Sequence, residues 1–341
     1  MNDNIKNNAE KMPDLLCVSP SPHIKSTDTT RSIMIDVLIA LIPAFAWGVY
    51  MMGLRALVIG LLSVICCVLF EAGVQLILHR PVTVSDCSAA VTGLIFAMNL
   101  PVTVPLWMPV VGSFFAIVVV KQLFGGIGKN IVNPALAARV FLLSACARQM
   151  SRFTAPGNPV SSLRITLGDV DAVTGATPLA ALKNGVVPSA TVGDMLIGNI
   201  GGSIGEVSTV LLLLGGVYLI VRRVITWHIP VAYLGSVALI TFLFPQTGTG
   251  GMFMLYELMA GGLVLGAFFM ATDYVTSPIT PVGRLLFGVG CGGITVLIRY
   301  FGSYPEGVSF AILIMNLLVW YLDLAGMPKR FGTVGEKVSK K

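Results

Sequence analysis

Ten apolar stretches dictate what this chain can fold into. Residues 33–54 read IMIDVLIALIPAFAWGVYMMGL and carry a single charge. Further runs follow at 56–78, 85–101, 105–120, 132–147, 205–221, 229–245, 252–271, 284–300 and 308–326. A helix that crosses a bilayer needs about 20 apolar residues, or fewer where it is broken. Only 11% of the residues are charged, against about 25% in ordinary soluble domains. The reading is an all-α integral membrane protein of about ten transmembrane helices. Several runs are short or interrupted by Gly and Pro, as in FAMNLPVTVPLW and FMATDYVTSPITP.

The basic residues orient it. With the N-terminus inside, Arg55, Arg148, Arg152, Arg164, Lys183 and Arg299 fall on outer segments and Arg139 inside a span. All the other Lys and Arg fall on inner segments, the pattern expected when both termini are cytoplasmic. Residues 1–32 then form an inner tail, 148–204 an outer loop leading into span six, and 327–341 a second inner tail. The first thirty residues lack an apolar region with a small-residue cleavage site, which argues against a removable signal peptide.

Segments 33–147 and 205–326 read as two five-helix repeats. VTGLIFAMNLPVTVP (91–105) lies over VLGAFFMATDYVTSP (264–278), with Val, Gly, Phe, Val, Thr and Pro matching at an offset of 173. The two copies are five spans apart, so they cross in opposite directions. Such inverted repeats with broken helices place a site near the midplane, because irregular backbone at that depth must be buried or face a cavity.

Composition also excludes chemistry. The six cysteines form no CxxC pair, so an iron–sulfur cluster held by this chain alone is not expected. Three histidines, His23, His79 and His228, do not supply a buried bis-histidine haem. No metal site and no nucleic-acid interface are expected, since the net charge of +6 follows from the inner bias of Lys and Arg.

The outer loop contains DAVTGATPLAAL, residues 171–182. On the residues alone, Thr177 before Pro178 is a helix N-cap with proline at the first helical position, and Thr174-Gly175 make the preceding turn. That account requires no function. However, DAVTGAT also resembles the D-x-x-[S/T]-G-A-T signature of bacterial proteins that carry covalent FMN on the last threonine. KQLFGGIGKNIVNPALAARVF (121–141), IGNIGGSIGEVS (197–208), FMATDYVTSP (269–278), SPSPHI (19–24) and YPEGVSFAILIMN (304–316) resemble the RnfD/NqrB family of membrane redox subunits. The short tail ahead of span one is more like RnfD than the longer-tailed NqrB.

That resemblance implies a flavoprotein subunit of an Rnf-type complex in the bacterial cytoplasmic membrane. Such a complex moves electrons between ferredoxin and NAD and couples them to Na⁺ or H⁺ transport. Thr177 is then the FMN attachment residue, and Asp171, Thr174, Gly175 and Ala176 form the motif read by a separate FMN transferase that uses FAD. The implied partners are the other membrane and peripheral subunits, including another FMN-carrying subunit and iron–sulfur subunits. The chain itself supplies no catalytic residue and would not be catalytic alone. A second, noncovalent flavin, riboflavin, is allowed within the bundle, with FGGIGKNIVNPA and GGSIGEVS as the candidate segments.

Two other readings stay open. One is the NqrB component of a Na⁺-translocating NADH:quinone reductase; the other is a cofactor-free channel or transporter, since fold alone does not decide function. Ionisable residues at membrane depth are functional candidates by default. Glu71, Asp36, Glu257 and Asp273 are candidates for an ion path, and Arg139 has Glu71 or Glu257 as its expected partner. Arg164 and Lys183 are candidates to balance the flavin phosphodiester.

Overall fold

The computed structural model describes residues 29–154, 177–188, 190–206 and 208–327. Asp171, Thr174, Gly175, Ala176, Arg164 and most of both tails lie outside the described residues.

All ten apolar stretches are helical. Helix α1 (Thr30–Met52) starts at a capping box in which Thr29 and Ser32 satisfy each other's backbone N–H groups. It ends at Gly53, whose φ of 92° is open to glycine and lets α2 (Leu54–Ile77) return at once. The helices α1 and α2, with α13 (Pro281–Phe301) and α14 (Val308–Gly326), are long and apolar enough to cross a membrane. The pair α11 (Gly250–Met259) and α12 (Leu263–Leu265), the latter running on to Met270, is together apolar enough to cross and is bent by 63°. The bend falls at Gly261 and Gly262, both at positive φ.

The remaining apolar helices are shorter: α3 (Ser88–Met98), α4 (Trp107–Phe114), α5 (Pro134–Ala145), α9 (Thr209–Val221) and α10 (His228–Leu243). Between α5 and α9, among the described residues, lie the short helices α6 (Ala147–Met150), α7 (Pro178–Lys183) and α8 (Val192–Ile197). Helix α4 continues as a π-helix over Phe115–Gln122, and α12 continues as another over Gly266–Met270.

Packing in the first five spans recurs in the second. Helix α2 packs on α3 and α4, as α10 packs on α11 and α13; the halves meet along α1–α9 and α5–α14. The non-helical turn after the first broken helix is buried in protein, whereas the one after the second is only partly covered, with Tyr274 and Ile279 exposed. Charged side chains satisfy backbone groups of both. In the first half, Leu100, Val102 and Val104 are buried. Arg55 Nε donates to the Val102 carbonyl at 3.0 Å and Nη2 to that of Val104 at 2.9 Å. In the second half, Arg284 Nε donates to the Pro278 carbonyl, while Asp323 accepts from the N–H groups of Ile279 and Thr280. An unsatisfied backbone group in hydrocarbon costs several kcal/mol, which explains why ions are spent on these turns. Arg55, Lys121 and Arg299, expected as loop charges, are each buried instead.

Candidate functional site

Thr177 is the N-cap of α7, as its place before Pro178 predicts. Its Oγ1 accepts from the Ala180 N–H at 3.2 Å. Leu179 and Leu182 pin the helix inward. Lys183 Nζ donates to the carbonyls of Gly302 and Tyr304, tying α7 to the loop ahead of α14. Lys183 therefore holds backbone, and burial lowers its pKa from the usual lysine value. Thr177 is only 9% exposed and borders a cleft of about 20 Å³ that Phe153, Gly201, Glu206, Gly261, Pro305 and Glu306 also line.

Behind the cleft sits Arg139 of α5. Its Nη1 donates to Asn99 Oδ1 at 2.6 Å and its Nη2 to Glu306 Oε2, with Glu206 Oε1 at 3.9 Å. The expected partners, Glu71 and Glu257, are committed elsewhere. Glu71 accepts from Lys121 at 2.8 Å and from Gln122 at 2.8 Å, and Glu257 accepts from Arg299 at 2.6 Å. The π-helix carries Lys121 and Gln122 together onto Glu71, a geometry invisible to a 3.6-residue period. Asp36 accepts from Arg222 and Tyr218, and Asp273 from Thr276.

A buried polar seam continues from Arg139. Asn99 Nδ2 donates to the Ile95 carbonyl and lies 3.9 Å from the Met270 sulfur. Asn133, the N-cap of α5, donates to the Met270 carbonyl at 3.3 Å. Asn316, with its amide turned to donate to the carbonyls of Ile312 and Thr276, accepts from the Asn133 N–H. Asn133 in turn lines a cavity of about 390 Å³ with Ser88, Val91, Lys121, Asn130, Phe268 and Asp273. Six residues of helix separate Asn133 from Arg139, about 9 Å at 1.5 Å per residue. The seam thus joins the cavity at one end to the Thr177 cleft at the other.

The two flavin-candidate segments separate. Residues of FGGIGKNIVNPA line the large cavity, whereas Gly201 and Glu206 of GGSIGEVS line the small cleft. Sequence reasoning missed Glu206 and Glu306, because Glu206 is the second residue of one apolar run and Glu306 stands just before another, so each reads as an acid at the end of a span. The available signal was Arg139, a cation deep in a span that demands a buried acid.

Known proteins match this chain over most of its length. The NQR2, RnfD, RnfE family matches residues 17–332. The D-subunit of a Na⁺-translocating ferredoxin:NAD⁺ oxidoreductase complex from Acetobacterium woodii is 47% identical, covering 89% of this chain and 91% of that protein. Its counterpart in a proton-translocating ferredoxin:NAD⁺ oxidoreductase complex from Clostridium ljungdahlii is 40% identical over 95% of this chain and 98% of its own length. The D-subunit of an ion-translocating oxidoreductase complex from Stutzerimonas stutzeri is 41% identical over 88% and 91%. With most of its length matched by the family and by these relatives, this multi-pass membrane protein belongs to the NQR2, RnfD, RnfE family.

Proposed function

We propose that this chain is the RnfD-type component of an ion-translocating ferredoxin:NAD⁺ oxidoreductase complex and carries FMN as a phosphoester on Thr177. The component reading rests on the relatives, which are named for that complex and match nearly end to end. Those names favour it over a component of a quinone reductase or a cofactor-free transporter. The observation that carries the flavin assignment is the D-x-x-T-G-A-T run ending on Thr177, at the lip of a cleft connected to the buried seam.

The residues fit such a bond. Thr177 Oγ1 acts as an acceptor in its cap, and an ester oxygen keeps a lone pair for the Ala180 N–H. A cleft of about 20 Å³ has no room for an isoalloxazine ring, so Thr177 would hold the flavin by its phosphate and the cleft would not enclose the ring. A threonine hydroxyl needs activation to act as a nucleophile. A separate FMN transferase supplies it, taking FMN from FAD with AMP as the leaving group. Once bound, the flavin supplies one- and two-electron chemistry, while the protein fixes its position and electrostatics.

The large cavity is the place we assign to a second, noncovalent flavin. At about 390 Å³ it is of the size that encloses small planar ligands. Asn130 and Asn133 offer amides for a ring edge, and Phe268 and Phe269 offer apolar faces. The same reading puts the chain in the bacterial cytoplasmic membrane with both termini inside and Thr177 outside. Its partners are the other membrane and peripheral subunits, including a second FMN carrier and iron–sulfur subunits.

Two measurements test this. Flavin fluorescence that survives denaturing electrophoresis is expected in the wild type and in Thr177→Ser, and is expected to be absent in Thr177→Ala; a fluorescent Thr177→Ala band would refute the attachment site. Thr92 of α3 lines the large cavity, and Thr92→Phe, which puts a ring into that space, is expected to remove acid-extractable flavin from the purified complex while the covalent band persists. Full noncovalent flavin in that variant would refute the cavity assignment.

A further inference from the structure

Among the described residues, three other buried carboxylates each hold a cation of their own: Glu71 has Lys121, Asp36 has Arg222 and Glu257 has Arg299. The outer cluster differs. Glu206 and Glu306 share one guanidinium, Arg139, which Asn99 also engages. The Glu206 side chain is 7% exposed and, among the described residues, accepts no hydrogen bond; its closest cation is Arg139 at 3.9 Å. Glu306, its side chain 17% exposed, gives Oε2 to Arg139, whereas its Oε1 is buried and, among the described residues, has no donor. The two carboxylates converge: a β-carbon added to Gly262 would sit 3.3 Å from an oxygen of each. Both line the cleft beside Thr177, which has the room of one water-sized occupant.

Two carboxylates around one guanidinium leave a surplus negative charge in a place where water is scarce. Such a charge is neutralised rather than tolerated. Burial pushes the Glu306 carboxyl up to about 7; Arg139 pulls it down and Glu206 pushes it further up. The groups facing it are Arg139 from α5, Glu206 from the turn before α9, and Arg299 from α13, itself paired with Glu257. Lys183 of α7 spends its ammonium on the carbonyls of Gly302 and Tyr304.

We propose that Glu206 and Glu306 form a binding site for a single monovalent cation, H⁺ or Na⁺, held more tightly when negative charge is present on Thr177. The site stands on the geometry alone, whereas its link to Thr177 rests on the proposed flavin attachment. A phosphodiester there adds a second negative charge beside the pair and raises its affinity for a cation by simple Coulomb attraction. The cleft is then a place where charge on the carrier and an ion from the outer side meet.

The test is infrared difference spectroscopy of the whole purified complex, stepped from mildly acid to mildly alkaline buffer without Na⁺. A protonated-carboxyl C=O band is expected to be lost on the alkaline step and to shift in D₂O. It should be missing in Glu206→Gln and Glu306→Gln, kept in the control Asp194→Asn, whose carboxylate belongs to the capping box of α8 and does not line the cleft, and kept with an altered midpoint in Glu306→Asp. Loss of the band on adding Na⁺ at constant pH identifies Na⁺ as an occupant; indifference to Na⁺ identifies the proton. A band absent from the wild type, or unchanged in both glutamine variants, overturns the site. In Thr177→Ala the pair is expected to bind its proton about tenfold more weakly, and an unchanged midpoint overturns the link. A Thr177→Ala complex that keeps covalent flavin refutes the attachment site instead, with the glutamine-variant result still deciding the cation site.

Discussion

The two ends of the polar seam solve the problem of buried charge in opposite ways. At the cavity end, Lys121 and Glu71 are both almost fully buried, meet at 2.8 Å and recruit Gln122 and Ser88. The Lys121–Glu71 pair is balanced in itself, Asp273 stands on the cavity wall with Thr276 as its partner, and the open volume is about 390 Å³. At the Thr177 end the volume is about 20 Å³, and two carboxylates compete for one guanidinium. A roomy site whose lysine is directly paired suits a neutral ring system, which needs space and a few directional amides. An unbalanced, cramped one suits a small cation and a charged tether.

The largest effect that can break this contrast comes from removing one partner at each end. Lys121→Met strands Glu71 as an uncompensated buried charge, which costs about 3–5 kcal/mol. Glu306→Gln removes surplus charge and leaves Arg139 with Glu206 and Asn99, so a change under about 1 kcal/mol is expected. Heat denaturation of the detergent-solubilised complex checks both. Equal losses in the two variants would mean that the cluster beside Thr177 is balanced after all. Adding Glu71→Gln to Lys121→Met should recover most of the loss, because the stranded charge is gone.

The pH dependence is the next largest effect. The Glu306 carboxyl, in the loop ahead of α14, sits at about 7 when folded, against about 4.3 for a free glutamate. The folded state therefore binds the proton more tightly than the unfolded one. Its stabilisation is complete below about 4.3 and is lost as pH rises through about 7. A decline on the order of 1–3 kcal/mol across that window is expected, measured as a falling melting temperature. The decline should flatten in Glu306→Gln and persist in Asp194→Asn. A wild type whose stability rises over the same window would contradict the surplus of negative charge.

Much of the architecture was legible in the sequence because lipid imposes a simple rule: long apolar runs become helices, and every predicted run did. The Thr177 cap was legible for a local reason, since Thr-Pro fixes the backbone before a helix whatever surrounds it. The ion pairs were not. Arg139 meets Glu306, 167 residues away, and sequence distance says nothing about which acids a guanidinium reaches across a folded seam. The π-helix at Phe115–Gln122 was hidden as well, because its period differs from the one an apolar pattern reveals. Arg55 read as a loop charge because it follows Gly53 between two spans, yet it turns inward to serve the carbonyls of Val102 and Val104. Side chains that satisfy a broken helix carry no composition signal; they are defined by the turn they serve.

The smallest effect comes from Lys183, and it sharpens the contrast by being confined to one end. Lys183 holds α7 against the loop that carries Glu306, through the carbonyls of Gly302 and Tyr304. Because the side chain is half-buried, water can replace part of what Lys183→Met removes, so the loss should be about 1 kcal/mol. Hydrogen exchange should speed up in α7 and in residues 302–307, while α2, α4 and the π-helix around Lys121 keep their wild-type protection. Only a local effect is expected, since no described bond of Lys183 reaches the seam itself. Faster exchange at both ends would show instead that the cleft and the cavity open together, and the division of labour between them would have to be replaced by a single coupled motion.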